Sequence, residues 1–438
     1  MLAGAVVGLP LLLKDDGTAK GLTQILLTYT LGAVAALLGV ATLWLSCGTM
    51  AKDVEECQMQ MVTVKPIGRW QIWLGKWLGI LGLNAMLLAL SGTAIFILLQ
   101  WRASHLPADE QKILRNEIFV ARASIKEQVP NYAAQSEQLL RREIDKFTRS
   151  SGNPPNPAEV GEMRNQIIER LKALNTEVPP GVRRFWRIDL HTLPERTQNE
   201  PLEMRIKFHA ANPNPSATYD TYWRVGPVDS TKAVVLHEVL PPDSFQEVQV
   251  PAHLLDDKGR LDIDFANVND TALMFPIEDG FELLYYENSF GVNFVRGEMI
   301  LLCWLALLAA IGLAAASQLS FPVAAFASMA ILLMGLSSGT LQTVVEQGTV
   351  AGYDAAKGGY GHSPLDLVFV PIFRGTLEII QLVESFSPID SLSTGRSITW
   401  SMLGLAVAQI VLLLGGIFCV IGIILFSRRE LATAQGNT

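Results

Sequence analysis

The chain has 438 residues, of which 50% are hydrophobic and only 17% are charged, and its formal net charge is −8. An average soluble protein carries about 25% charged residues. These proportions exclude an intrinsically disordered chain, and they fit poorly with an average soluble enzyme or with a nucleic-acid binder that has a basic surface.

Four long stretches of the sequence contain no Asp, Glu, Lys or Arg. They cover residues 21–51, 77–101, 299–345 and 397–427. A transmembrane helix needs about 20 apolar residues to cross the hydrocarbon core of a bilayer. The third stretch has 47 residues, which is enough for two spans, and Pro322 suits the first turn of a new helix there. The sequence therefore predicts five full spans, at residues 21–45, 72–99, 299–316, 322–341 and 401–426.

The N-terminal segment, residues 1–13, is apolar but short. A helix of this length reaches only about 20 Å, which is less than the thickness of the hydrocarbon core. A signal peptide would need a basic segment before the apolar run and a small-residue cleavage site after it, and neither is present. We interpret the segment as the outer end of a truncated first span.

The Lys and Arg residues of the short loops predict the orientation in the membrane, because short loops that are rich in Lys and Arg are retained in the cytoplasm. The residues concerned are Lys52, Lys65, Arg69, Arg428 and Arg429. The loop at 50–71 and the C-terminus are therefore expected on the cytoplasmic side. Counting spans between them places residues 101–295 and the loop at 346–397 outside the cytoplasm.

Residues 101–295 are a polar insert that holds 22 of the 34 basic and 29 of the 42 acidic residues. Residues 101–182 show helical spacing of apolar side chains. From 183 to 295 the pattern changes to short alternating runs separated by turn residues, which predicts a β-sandwich. The predicted fold class is an α-helical polytopic membrane protein with an extracytoplasmic α+β insert, a helical hairpin followed by a β-sandwich. The predicted domains are a first membrane half at 1–100, the helical region at 101–182, the β-sandwich at 183–295 and a second membrane half at 296–438.

The insert offers one pair of carboxylates for chemistry. Asp262 and Asp264 lie two apart on a predicted strand and share a face, which fits a metal or acid–base pair and equally fits the solvated face of an amphipathic strand. No pair of the six histidines has metal-ligand spacing. The sequence therefore predicts no metal, catalytic or cofactor-binding residues. The four cysteines all lie outside the insert, which must be held by its own core.

The loop between the first two full spans is short, mixed in charge and amphipathic. Its first half, 53–62, combines acidic and apolar residues, and Pro66 and Gly68 predict a turn before the next span. A short helix of this kind can dock a soluble partner, and it can equally anchor the loop at the membrane surface. The residue pattern alone leaves both interpretations open.

The order of residues in this loop resembles the first cytoplasmic loop of ABC transporter permeases of the ABC-two exporter type (type V-like). Acidic residues are followed by Thr63-Val64-Lys65-Pro66-Ile67-Gly68-Arg69, and Leu74-Gly75-Lys76 then leads into a span. The ending of the last span at 426–431 and the broken apolar segment at 365–383 are similar to the same family. Cys57-Gln58 stands where the family often has Gly-Thr, and the insert is larger than in the commonest members.

The resemblance implies a membrane-spanning permease subunit of an ATP-driven exporter, in a cell membrane that we expect to be a bacterial inner membrane. The family's loop carries a coupling helix that docks on the ABC ATP-binding subunit. This implies docking roles for Asp53, Glu55, Glu56, Met59, Thr63, Lys65, Pro66 and Arg69. ATP hydrolysis would belong to that partner, so the chain itself would be no enzyme and would bind neither a cofactor nor nucleic acid. Two permeases, forming a homodimer or a heterodimer, would build the transport path in the lipid bilayer.

Two other function classes remain open from the sequence. One is a non-transporting scaffold or sensor that presents the β-sandwich outside the cell membrane. The other is a channel or secondary transporter, a class that usually has charges or broken helices at mid-depth. The five predicted spans carry no charge at mid-depth. Arg296 and Glu298 lie at the outer boundary of the span at 299–316. We expect snorkelling or a local ion pair there, with a gating role as the alternative.

Overall fold

The chain folds into two compact units, which we call the helical unit and the β unit. The computed structural model describes residues 2–12, 18–63, 66–126, 132–151, 157–190, 202–212, 218–227, 233–251, 254, 259–277, 279–347, 353–354, 359–360 and 365–429. The helical unit comprises Met1–Ala121 and Asn288–Thr438, and the β unit comprises Arg122–Glu287.

The α-helices follow one another along the chain in both units. They are α1 (Leu2–Leu12), α2 (Ala19–Thr23), α3 (Gly32–Glu55), α4 (Gln58–Thr63), α5 (Arg69–Ala103), α6 (Ala108–Ile113), α7 (Tyr132–Ser151), α8 (Pro157–Thr176), α9 (Phe290–Ala316), α10 (Phe321–Leu336), α11 (Ser338–Gln347), α12 (Asp366–Glu384), α13 (Pro388–Ser393), α14 (Trp400–Ala406) and α15 (Gly416–Arg428). Three wider, π-helical segments continue them, at Gln24–Leu31, Leu114–Ile118 and Val407–Gly415.

Four helices of the helical unit are long and apolar enough to cross a membrane. They are Gly21–Glu55, Arg69–Ala103, Phe290–Ala316 and Trp400–Arg428, and a fifth span results if the bent pair of α10 and α11 counts as one. Most of them extend past the predicted boundaries, because residues such as Lys52 and Arg102 can continue a helix beyond the hydrocarbon core. Together with the sheets of the β unit, these helices fit a multi-pass membrane protein with a β domain.

The predicted span at 322–341 is not one straight helix. α10 ends at Leu336, and the segment Ser338–Val345 leaves it at an angle of 64°. The hydroxyl of Ser337 donates to the carbonyl oxygen of Leu333 at 2.9 Å. This local bond competes with the helical ladder, and a Ser and Gly sequence at the break is a common cause of kinks. The other expected partial element, α1, is an 11-residue helix that is too short to cross a bilayer.

α9 is the central helix of the helical unit. Its most apolar window is 72% buried, against 50% or less in the other three spans, and it packs against α3, α5 and the last span. Small residues at its C-terminal half allow this close packing. A Cβ atom added at Gly312 would lie 1.9 Å from the hydroxyl oxygen of Ser46 on α3 and 3.3 Å from the carbonyl oxygen of Leu43.

Enlarging Gly312 tests this helix contact. We expect Gly312→Val to lower the free energy of unfolding by about 1–3 kcal/mol, as overpacking does in tightly packed interiors. Thermal unfolding of the purified protein in mild detergent measures the change. Gly79→Val is the matched control, because a Cβ atom at Gly79 on α5 has nothing within 4 Å. An equal loss in both variants would contradict the close α3–α9 contact.

The β unit contains two four-stranded sheets and one smaller sheet. The strands are β1 (Val120–Lys126), β2 (Glu177–Val178), β3 (Arg183–Asp189), β4 (Leu202–Ile206), β5 (His209–Ala210), β6 (Tyr219–Val225), β7 (Val234–Leu240), β8 (Gln246–Val250), β9 (Arg260–Asn267), β10 (Leu273–Met274) and β11 (Phe281–Ser289). Their orders are β1-β11-β4-β8, β3-β9-β6-β7 and β2-β10-β5. In the helical unit, β12 (Tyr353–Asp354) pairs with β13 (Gly359–Tyr360).

The two larger sheets of the β unit pack face to face around one aromatic core. Inward-facing residues alternate along β9 and β6, as their burial patterns show. Trp186 on β3 stacks on Phe281 of β11 with ring centroids 4.8 Å apart, so the core joins both sheets. Trp223 on β6 is fully buried, and its ring centroid lies 4.7 Å from that of Phe265. This arrangement needs no disulfide, in agreement with the placement of the cysteines.

The region at 101–182 is not entirely helical, in contrast to the expectation. α7 and α8 form the helical pair, and Arg164 of α8 contacts Glu137 of α7 at 2.8 Å. β1, however, begins at Val120 and joins the edge of a sheet beside β11. Burial alternates only along the second half of β1. The strand is also short and lies far in sequence from the other strands of its sheet. The sequence pattern therefore did not separate it from the helices around it.

Removing the central tryptophan tests the β core. We expect Trp223→Ala to destabilise the β unit by about 3–5 kcal/mol, because the large cavity cannot close in a packed core. Hydrogen exchange of the strand amides in the full-length protein measures this loss. Tyr222→Ala is the control, since Tyr222 directly precedes Trp223 on β6 and its side chain faces outward. Similar exchange in the two variants would argue against the shared core.

Candidate functional site

The predicted docking loop joins the end of α3 to the start of α5. Asp53 and Glu55 lie in the last turn of α3, and Glu56 follows it. Met59 and Thr63 belong to α4, Pro66 lies in the turn, and Arg69 begins α5. Lys65 and the side chain of Thr63 lie outside the described residues. We call this end of the helical unit, residues 49–76 with 316–321 and 425–429, the loop face.

The side chain of Asp53 is paired with a lysine of the same chain. Its carboxylate forms an ion pair with the ammonium group of Lys76 on α5. The same ammonium group donates to the carbonyl oxygen of Thr49 at 2.9 Å. The side chain of Lys76 thus joins the end of α3 to the first turns of α5, and both ends of the loop are held together.

Glu55 caps another helix. Its carboxylate oxygen accepts the backbone N–H of Phe321, the first residue of α10, at 3.1 Å. A carboxylate at a helix N-terminus satisfies a free N–H group and interacts favourably with the helix dipole. The ammonium group of Lys52 lies 5.3 Å from the centroid of the Phe321 ring, and Trp44 contacts that ring edge-on at 5.0 Å. The end of α3 is therefore fastened to the start of α10.

Arg69 binds the end of the last span. Its guanidinium Nη1 donates to the carbonyl oxygens of Phe426, Ser427 and Arg429 at 2.9, 2.7 and 3.0 Å. The last carbonyl groups of a helix have no partner within the helix, and a cation is favourable beside them. The resemblance implied a docking role for Arg69, and in the structure its partly buried side chain binds the end of the last span.

A second arginine repeats this arrangement at the end of α9. Nη1 of Arg429 donates to the carbonyl oxygens of Ser317 and Ala316 at 3.1 and 3.3 Å. The amide of Gln318 in turn donates to the carbonyl oxygen of Leu425 at 2.8 Å. The loop, the end of α9 and the end of α15 therefore form one hydrogen-bonded network. The charge of Arg429 is evident in the sequence, but no local pattern indicates its partner.

The exposed apolar residues of the loop differ from the expected contact residues. Met59 is 2% exposed and packs in the cluster that contains Trp73, so it faces the protein interior. Met61, two positions on, is 71% exposed, and Trp70 and Ile67 are 53% and 41% exposed. Residues two apart on a helix point in nearly opposite directions, which explains the difference between the two methionines. Glu56 is exposed, and its carboxylate contacts the side chain of Gln58.

Cys57 has an unusual backbone conformation at the turn between α3 and α4. Its φ angle is +59°, in the left-handed region that residues with a Cβ atom rarely adopt. Glycine adopts this conformation without steric cost. The turn separates α3 from α4 by two residues, and the two helices remain in contact.

Arg296 and Glu298 do not form an ion pair with each other. Arg296 is buried, donates to the carbonyl oxygen of Ile398 at 2.8 Å and lies 4.6 Å from the centroid of the Trp400 ring. Glu298 lies two positions further along α9 and faces α5, where its carboxylate approaches Gly92. The expected local ion pair is therefore absent, because the two side chains leave the helix on different sides. Arg296 holds the segment that starts the last span.

The carboxylates of the β unit that the sequence singled out are paired with arginines. Arg187 binds Asp262 with contacts of 2.8 and 3.3 Å, and Arg183 binds Asp264 at 3.2 Å. Both pairs lie on the outward face of β3 and β9. Within the described residues, no group of three or more His, Cys, Asp or Glu side chains is placed to hold a metal ion.

The β unit contains a buried charge cluster that the sequence pattern did not indicate. The guanidinium of Arg122 on β1 contacts the carboxylates of Glu203 and Glu247, and Arg205 lies 3.4 Å from Glu282. Burial lowers the pKa of Arg122, but the carboxylates of Glu247 and Glu203 raise it more, so the group stays charged. These contacts join β1, β4, β8 and β11 and identify a structural role.

Truncating Arg69 tests the network of the loop face. We expect Arg69→Ala to destabilise the end of the last span by about 1.5–3 kcal/mol, the usual value for hydrogen bonds to a charged group. Faster hydrogen exchange in the last turn of α15 would report this. Arg428→Ala is the control, because Arg428 is exposed and has no hydrogen bond or ion pair with the described residues. No difference between the variants would contradict the proposed anchor.

The loop face therefore combines an exposed apolar surface with charged contacts to three other helices. Exposed apolar side chains stand on a short helix and turn, and three charged residues fix that segment to α10, α15 and α5. No family model matches the sequence, and no match is found among the curated proteins or the solved structures.

Proposed function

We propose that the chain is the membrane-spanning permease subunit of an ATP-driven ABC exporter. A separate ATP-binding subunit docks on the loop face, and its ATP-driven movement is passed through the loop to the spans. The observation that carries this proposal is the network in which Glu55 and Arg69 bind the ends of α10 and α15. A docking element must be fixed to the helices that it moves, and this loop is bonded to the start of α10 and the end of α15.

The surface of the loop has the composition of a protein contact. Met61, Ile67 and Trp70 are large, apolar and exposed, and Glu56 adds a charge at their edge. Binding energy at interfaces concentrates in a few such anchors, among which tryptophan is enriched. Asp53, Glu55 and Arg69 then act in positioning the loop, and Met59 supports it from inside. This division of roles differs from the one that the family resemblance implied.

The turn at Cys57 also supports the resemblance. The related permeases often have a Gly-Thr pair where this chain has Cys57-Gln58. The left-handed φ of Cys57 is the conformation for which glycine is favoured. A turn of the same shape would therefore suit both sequences, and it would place α4 in the position of the family's coupling helix.

The proposal includes a topology and an assembly. The basic residues of the loop face support a cytoplasmic position for it, with residues 101–295 and the β unit outside the cytoplasm. The membrane in this proposal is a bacterial inner membrane. Two permeases, as a homodimer or heterodimer, form the path across the inner membrane. Hydrolysis of ATP belongs to the partner subunit.

Binding of the ATPase subunit tests the proposal. We expect the chain, expressed with a candidate ATP-binding subunit and purified in mild detergent, to retain it as a stable complex. Met61→Ala and Trp70→Ala should each weaken that complex by about 2 kcal/mol, or roughly thirtyfold in affinity, as hot-spot residues do. Affinity measured with the purified subunits gives the comparison.

Matched controls separate docking from loss of apolar surface in general. Met86 and Trp101 lie on α5 and are 61% and 59% exposed, which is close to the values for Met61 and Trp70. Met86→Ala and Trp101→Ala should leave ATPase binding unchanged. If no ATP-binding subunit associates with the intact chain, or if all four variants behave alike, the exporter proposal loses its basis.

A further inference from the structure

A wide groove runs between α12 and the last span of the helical unit. It is open on one side and has a volume of about 690 Å³, within the range of sites that hold small organic molecules. Its lining residues come from the end of α12, the segment that follows it, and the last span. They are Glu378, Gln381, Leu382, Ser385, Phe386, Met402, Leu405 and Gln409.

Three polar side chains of this groove have no partner within the described part of the chain. The carboxylate of Glu378 and the amides of Gln381 and Gln409 make no hydrogen bond or ion pair there. Gln409 lies ten residues into the last span, the most apolar of the four, with a mean hydropathy of 2.9. A free amide facing hydrocarbon is costly, because lipid chains offer it no hydrogen bond. The amide of Gln409 therefore requires water or a polar ligand, and the exposed side chains of Glu378 and Gln381 lie beside it.

The local backbone also distinguishes this part of the span. Gln409 belongs to the π-helical segment Val407–Gly415. Such wide turns are rare and occur frequently at functional sites. The segment therefore presents the amide of Gln409 to the groove at a place where the regular helix is interrupted.

We propose that this groove is a hydrated binding site for an amphipathic organic cation. Glu378 is the one ionisable residue among the described lining residues, so the site has a negative charge. Arg374, one turn earlier on α12, does not line the groove and forms no ion pair with Glu378 among the described residues. Leu382, Phe386 and Met402 supply apolar surface beside the carboxylate. The ligand thus needs a positive group and an apolar body.

The site is independent of the loop face. Its lining residues include none of those that hold the loop to α10 and α15. The role of such a cation as exported cargo rests on the proposed function, whereas its binding in the groove does not. The test therefore measures water access and charge preference directly, without an ATP-binding subunit.

Cysteine labelling in membrane vesicles tests the proposal. Gln409→Cys is placed in a Cys57→Ser/Cys419→Ser background, which leaves the buried Cys47 and Cys303. A trimethylammonium methanethiosulfonate should modify Gln409→Cys about tenfold faster than a sulfonate methanethiosulfonate, since a negative site concentrates cations. Tetraphenylphosphonium, an amphipathic cation, should slow the modification. Adding Glu378→Gln should remove the preference for the cationic reagent.

Two controls on neighbouring positions complete the design. Leu412→Cys replaces an exposed residue of the same span and should react only with the membrane-permeant N-ethylmaleimide. Glu384→Gln removes a carboxylate of α12 that accepts the hydroxyl of Ser338 at 2.6 Å outside this groove, and it should leave the preference intact.

Three results would overturn the proposal. The first is no reaction of Gln409→Cys with either charged reagent, which would mean that lipid or a second copy of the chain covers the groove. The second is equal labelling of Leu412→Cys by those reagents. The third is a charge preference that survives Glu378→Gln. None of these results depends on whether an ATP-binding subunit docks on the loop face, so the two proposals fail separately.

Discussion

The helical unit depends on how the chain satisfies the ends of its membrane helices. Each helix that stops leaves several carbonyl or N–H groups without a partner, and near a membrane surface these groups need a donor or acceptor from the protein or from water. Here charged side chains from other segments supply them. Arg69 binds the end of the last span, Arg429 binds the end of α9, and Glu55 binds the start of α10. Closing the helix ends and fastening the helices together are thus one set of contacts.

The β unit is held by a different kind of interaction. Its aromatic core joins two sheets through stacked and edge-on rings, among which Trp186 and Phe281 bridge the two layers. Its buried ion pairs connect β1 with β4 and β4 with β11, all strands of one sheet. Since the burial of charge is costly unless it is fully paired, such clusters specify one register more than they add stability. The contacts that hold the β unit together therefore come from its own strands.

Charge-free stretches were sufficient to predict most of the long apolar helices, because buried core helices of soluble proteins seldom lack charge over such lengths. They did not predict the bend after Leu336, which depends on a hydroxyl bond of Ser337 within an otherwise apolar run. The alternating runs predicted the strands that follow residue 183, whereas β1 was missed among helical segments. The residue types of the loop were read correctly as a mixed, amphipathic segment. Which of them face inward depends on contacts with α10 and α15, which no local pattern contains.

The close contact of α3 and α9 limits the movements available to the protein. Gly312 approaches Ser46, and a Cβ atom at Gly39 would lie 3.3 Å from Leu308, so the helices touch at two separated levels. Close packing at two levels opposes sliding of one helix past the other, because tightly packed atoms would overlap. Any shear or hinge within the membrane must then involve the segments around this pair, among which the bent α10–α11 pair and the last span are the least enclosed.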